Sequence, residues 1–201
     1  MPRYPSSNIT YAIGPGAPTP AVKILLITNI ALFFVNVIVG PMMTIRLGLS
    51  PQSVFNDFAL WQPVTYMFLH STSGLGHILF NMLALWMFGT ELERTWGTRF
   101  FTKYYFVTGV GAAATTLLLS FFIDDIYHST TVGASGAIYG LLIAYAMYFP
   151  HRTIYYIIFP IPARVFVAIM GFIAFWSSVS GSGAALRIRR TLAASSWDTC
   201  T

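Results

Sequence analysis

The chain has 201 residues, of which 56% are hydrophobic, 16% aromatic and only 8% charged. A soluble domain carries roughly 25% charged residues, so this chain cannot cover itself with polar surface and its expected solvent is lipid. The single cysteine, Cys200, excludes an internal disulfide framework and a cysteine-rich metal site.

Residues 1–20 are rich in Pro, Ser, Thr and Gly. They hold too little apolar area to fold, which predicts a disordered tail. No short basic stretch opens into an apolar run there, so no cleavable signal peptide is expected. About 20 apolar residues cross a bilayer as a helix. Val22–Met43 is the first such segment. Thr44–Gly74 is too polar to span and too aromatic for a free loop, which predicts an interfacial, partly helical element. Leu75–Gly89, Phe100–Ile123 and Ala134–Phe149 follow as further spans, and Ile154–Trp176 as a fifth. Pro160 and Pro162 interrupt the last, so its regular helix is expected to begin near Pro162. The predicted class is an all-α membrane bundle.

Basic residues set the orientation. With the N-terminus cytoplasmic, the inner side holds Arg3, Lys23, Arg94, Arg99, Lys103, Arg152 and Arg164, while the outer segments before residue 180 hold only Arg46. This is a positive-inside bias. It accounts for the net charge of +5 better than a nucleic-acid partner does. The absence of an Arg/Ser-rich amphipathic start points to a bacterial plasma membrane rather than an organelle.

Polar side chains at membrane depth are costly and mark function. "HILFN" puts His77 and Asn81 at i and i+4, on one helix face. "GASGAIYG" puts Ser135 at a helix start with Tyr139 one turn on, and makes Gly136 and Gly140 a GxxxG where another helix can approach. A helix-start serine could thus meet an imidazole and an amide from a second helix, both suited to an oxyanion, with its own backbone N–H as a third donor. Spacing alone leaves packing and interhelical hydrogen bonding open as roles for these residues.

Taken together, "WQPVTYMFLHSTSGLGHILFNMLALWMFGTELERTWG" followed by "GASGAIYG" resembles the rhomboid family of intramembrane serine proteases, over about Thr44 to Trp176. The resemblance implies a rhomboid-like helical bundle over 21–180. Ser135 would be the nucleophile, and His77 and Asn81 would help form the oxyanion hole. Gly133 and Gly136 would flank the serine, and Tyr139 would pack against the base. Glu93 and Gly97 match the family's E-x3-G. Trp61, Gln62 and His70 match its membrane-edge loop, where packing and interface anchoring are the expected roles. Transmembrane proteins are the implied substrates. No metal or cofactor is implied, and two histidines without carboxylate or thiolate partners make a poor zinc site.

The resemblance also implies a sixth helix carrying the base in H-x2-G-x3-G. The sequence departs here. Its histidines are His70, His77, His128 and His151, and only His151, on the expected cytoplasmic side, follows Ser135. A serine hydroxyl without an adjacent base is a weak nucleophile. The tail 181–201 is polar, basic and aberrant, leaving five of the usual six spans. If the codons of Ala184–Thr201 are read one base earlier, they can encode G-V-A-H-S-S-H-F-G-G-L-L-V-G-Y-L-Y. The Trp197–Asp198 junction forces glycine, and the Arg190–Thr191 junction permits a histidine seven positions before it. This predicts a frameshift between about Ser180 and Ala185, with the chain as given lacking its base and also the partner helix expected for the glycine face at Gly136 and Gly140. The alternative is a non-catalytic rhomboid-like protein that binds transmembrane helices. A transporter or channel would place charged residues inside the spans, where almost none are found.

Overall fold

The computed structural model describes residues 15–72 and 74–150, the backbone of 153–156 and 159–162, and residues 165 and 167–169. The described chain is helical apart from one short hairpin. In order come α1 (Pro20–Val39), α2 (Pro41–Leu47), α3 (Pro51–Asn56), α4 (Gln62–Thr65) and α5 (Leu75–Ala84). Then follow α6 (Thr90–Trp96), α7 (Thr98–Leu119), α8 (Asp124–Tyr127), α9 (Ser135–Tyr148) and the strands β1 (Thr153–Tyr156) and β2 (Phe159–Pro162). A wider π-helical turn, Leu85–Gly89, joins α5 to α6. Among the described residues, Pro20–Val39 and Leu75–Trp96 are long and apolar enough to cross a membrane, and Ser135–Tyr148 is a shorter apolar helix.

The first span stops early because of its backbone. Pro20 opens α1, where a missing N–H costs nothing. Gly40 ends it at φ +77°, and Pro41 starts a separate helix. The segment 44–74 is partly helical, as expected, with α3 and α4 short and linked by loops. Pro51 begins α3, and the Ser50 hydroxyl accepts the N–H of Ser53 as its cap.

Glu93 is a structural junction. It is buried, and its carboxylate accepts the N–H groups of Ala21 and Val22, each at 3.0 Å, in the first turn of α1. It also accepts the hydroxyls of Thr19 and, at 2.7 Å, of Thr98. The Gly97 N–H closes on the Glu93 carbonyl at 2.8 Å, and Gly97 turns the chain at φ +79° into α7. The E-x3-G spacing therefore provides a cap for one helix and a left-handed exit from another. Residues 15–20 lie in the segment expected to be disordered, yet they are held. Arg94 donates to the carbonyls of Pro15 and Ala17, and the Trp86 indole donates to that of Gly16. Residues 1–14 lie outside the described set.

The core centres on α7 and α9, the most extensively packed helix pair. Phe101, Tyr105 and Ala113 of α7 meet Ala137, Leu141 and Tyr145 of α9 in one buried cluster with Val22, Leu85 and Leu92.

Two expectations need correction. The glycine face of α9 was expected to await the sixth helix. Instead α7 occupies it: a Cβ on Gly136 would fall 2.5 Å from the Ala112 Cβ, and one on Gly140 2.6 Å from the Thr108 Cβ. The close approach predicted by GxxxG is present, but its partner is an earlier helix. The second correction concerns Ile154–Trp176. Its first residues form an antiparallel hairpin, with Thr153 opposite Pro162 and Tyr156 opposite Phe159, while residues 165 and 167–169 beyond it are helical, as expected for a helix that begins near Pro162. Apolarity was legible there, but a short apolar run does not distinguish strand from helix, and Pro160 and Pro162 disfavour helix. The rest of that segment beyond residues 165 and 167–169, and the whole tail 181–201, lie outside the described residues.

Candidate active site

Ser135 is the first residue of α9. The residue before it, Ala134, provides no side-chain cap, so the first-turn N–H groups of α9 have no acceptor within their own helix or from a capping side chain. The chain reaches this point through Gly133, whose φ of +126° L-residues rarely adopt. The space there is as demanding as the dihedral. A Cβ on Gly133 would lie 2.9 Å from both Nε2 and Cε1 of His77, and 3.8 Å from the Ser135 Oγ. The imidazole and the hydroxyl thus converge on one point against the Gly133 backbone.

His77 sits in the first turn of α5 and is half-buried. Its Nδ1 accepts the Ser71 N–H at 3.5 Å. With Nδ1 accepting, a neutral ring carries its proton on Nε2, the nitrogen facing Gly133 and Ser135. Such a ring is a donor towards the serine and not an acceptor for the serine's proton. Asn81, one turn on and buried, donates through Nδ2 to the His77 carbonyl at 2.7 Å. Tyr139 lies one turn beyond Ser135, partly buried at the edge of the core.

The segment 44–74 fixes the approach to Ser135. Leu49 and Thr131 exchange two backbone hydrogen bonds, at 2.8 and 2.9 Å. The Gly133 N–H donates to the Tyr66 carbonyl at 2.9 Å. The Tyr66 hydroxyl donates to the Gly109 carbonyl of α7 at 2.7 Å, and burial pushes its pKa up to about 12, so it remains a donor. Gln62 is buried. Its Oε1 accepts the Ser50 N–H at 2.9 Å, beside Leu49, while the Trp61 indole donates to the Arg46 carbonyl at 2.9 Å. His70 is fully buried against His77, the ring centroids 5.3 Å apart.

The structure therefore brings Ser135, His77 and Gly133 together, with Asn81 beneath the histidine and Gly136 packed on α7 and near the Tyr66 hydroxyl. His128 is elsewhere: it is exposed at the end of α8 and paired with Asp124 at 3.4 Å. His151 lies outside the described residues. Sequence reasoning missed Tyr66 and Ser71. Ser71 acts through its backbone N–H and Tyr66 through its carbonyl as well as its hydroxyl, and a backbone carbonyl or N–H leaves no residue-type signal. Among the described residues, no group of three or more His, Cys, Asp or Glu could hold a metal.

Comparison with known proteins points to one family. A family model described as "Rhomboid domain" matches residues 57–187. "Rhomboid protein 1, mitochondrial" of Saccharomyces cerevisiae is 33% identical over 111 residues, covering 55% of this chain and 31% of the relative. "Rhomboid protease GluP" of Bacillus subtilis is 34% identical over 98 residues, covering 49% and 18%. "Rhomboid protease AarA" of Providencia stuartii is 28% identical over 141 residues, covering 62% and 49%. The chain thus spans less than half the length of each of these relatives. The family-model match extends over more than half of the chain and includes His77, Asn81, Glu93 and Ser135; the chain belongs to the rhomboid family.

Proposed function

We propose that this chain is built as an intramembrane serine endopeptidase that cuts transmembrane proteins near the outer membrane boundary. The observation that carries the reading is the convergence of the Ser135 Oγ and the His77 ring on Gly133. Ser135 attacks the scissile carbonyl carbon, and a base takes the hydroxyl proton and later passes it to the leaving amine. The oxyanion that forms is met by the His77 Nε2–H, the Asn81 amide and the N–H of Ser135. Donors in a water-poor site act on a charge that develops only in the transition state, which is where binding energy accelerates reaction. Tyr139 packs against the base, Gly133 keeps a side chain out of the space between His77 and Ser135, and Gly136 lets α7 approach beside the serine.

The base belongs on a sixth helix in the shifted reading frame of Ala184–Thr201. Among the described residues, no histidine substitutes for it. His77 presents a proton towards Ser135, His70 is buried beside His77, and His128 is on the surface. The chain as given is therefore inactive or nearly so. Loss of one triad member leaves residual catalysis of roughly 10³–10⁴ over water in a soluble protease. The positive-inside charge bias supports a cytoplasmic N-terminus, with Ser135 towards the outer side. The missing base favours one further reading, a rhomboid-like protein that binds transmembrane helices without cutting them.

A fluorophosphonate probe separates the two. The frame-restored chain is expected to label at Ser135, and Ser135→Ala to abolish labelling, while the chain as given labels weakly or not at all. A folded, frame-restored chain that never labels would favour the binder. Codons that cannot encode His across Arg190–Thr191 would end the frameshift proposal.

A further inference from the structure

His70 is a buried titratable group that the proposed chemistry does not use. Its relative exposure is 0%, and among the described residues neither ring nitrogen has a hydrogen-bond partner. A buried polar group without a partner is costly, so its retention calls for a reason. The ring lies on His77 at 5.3 Å between centroids, with the planes inclined by 57°. The next residue, Ser71, donates its backbone N–H to the His77 Nδ1 at 3.5 Å. The His70 carbonyl is itself anchored, accepting the Asn36 side-chain amide of α1 at 3.3 Å. The dipeptide His70–Ser71 is therefore fixed to α1 at one end and applied to the His77 ring at the other.

We propose that His70 and the Ser71 N–H are positioning elements that lock His77 into the tautomer with its proton on Nε2, directed at the oxyanion side of Ser135. This rests on His77 serving as an oxyanion donor. Each half has a distinct part. The Ser71 N–H occupies Nδ1 as an acceptor, so the proton must reside on Nε2. The His70 ring closes one side of His77 and limits its rotation. Burial and the neighbouring His77 push the His70 pKa down to about 4, so it faces His77 as a neutral ring at physiological pH. A charged neighbour in its place would disfavour a second proton on His77 but would also distort the field in which the oxyanion forms.

The lock is tested by nitrogen-15 NMR of the full chain in detergent micelles with labelled histidine. Only four histidines are present, and single substitutions assign them. The wild-type His77 is expected to show a bonded proton at Nε2 and an unprotonated Nδ1, as one tautomer. Ser71→Ala keeps the N–H and is expected to leave the spectrum unchanged. Ser71→Pro removes it and should lower the Nε2–H to Nδ1–H ratio about fivefold, the bias one ordinary hydrogen bond provides. His70→Phe, which keeps a ring surface, should retain the wild-type tautomer, and His70→Ala should lose it. A wild-type His77 protonated on Nδ1, or one present as a mixture, overturns the proposal even if both disruptive variants fail to fold. An unchanged ratio in folded Ser71→Pro does the same. The readout does not depend on catalysis: a chain with the single tautomer that never labels at Ser135 keeps this inference and loses the protease reading.

Discussion

Removing the Glu93 carboxylate tests the account of how the first helix is held. The carboxylate accepts two backbone N–H groups from the first turn of α1 and two threonine hydroxyls. The hydroxyls can rotate to other acceptors, so only the N–H groups of Ala21 and Val22 enter the estimate. Both residues are buried, at 7% and 0% exposure, and water cannot readily replace the lost acceptor. A hydrogen bond to a charged group is worth about 1.5–3 kcal/mol. Two of them put the cost of Glu93→Ala at about 3–6 kcal/mol, above the roughly 0.5–2 kcal/mol of an ordinary helix cap. Glu93→Gln keeps one carbonyl oxygen as acceptor and should lose about half as much. The assay is unfolding of the purified chain by a denaturing detergent, followed by far-UV circular dichroism. If Glu93→Ala unfolds within about 0.5 kcal/mol of the parent, the junction is not a cap and the reasoning fails.

The glycines of the α7–α9 pair should respond with opposite signs. Gly140→Ala drives a Cβ to 2.6 Å from Thr108 and should cost about 1–3 kcal/mol, whereas Gly111→Ala meets nothing within 4 Å and should gain up to about 1 kcal/mol; the same detergent titration reads both. The His70 pKa falls from 6.5 to about 4 through burial, so between these values the unfolded chain binds more protons. Stability attributable to His70 is present above about 6.5 and lost as pH drops towards 4, with a slope of at most about 1.4 kcal/mol per pH unit. His70→Phe should flatten that slope, and a slope unchanged by the substitution would place its origin elsewhere. Gly133→Ala forces an L-residue to φ +126° and a methyl group into the His77 ring. In the frame-restored chain, fluorophosphonate labelling should fall at least about tenfold, the effect of a 1.4 kcal/mol loss of transition-state stabilisation; labelling at the parent rate would show that this close contact does not matter to the site.

The sequence alone determined the solvent, because 8% charged residues cannot clothe a folded chain in water. It also determined where the site would be sought. His77 and Asn81 share a face through helix periodicity, and a serine among small residues marked the start of α9. These signals are local, and local geometry is carried by composition and spacing. Tertiary structure decided what each face would meet. Gly136 and Gly140 announced a close helix partner but not its identity, since any helix with small residues fits a glycine groove, and α7 supplies Ala112 and Thr108 there. Likewise Pro15, Gly16 and Ala17 look unstructured in composition, and they are ordered only because Arg94 and Trp86 lie within reach of their carbonyls. The tautomer of His77 is the furthest from the sequence, for it depends on a backbone N–H at Ser71 that every residue but proline would provide.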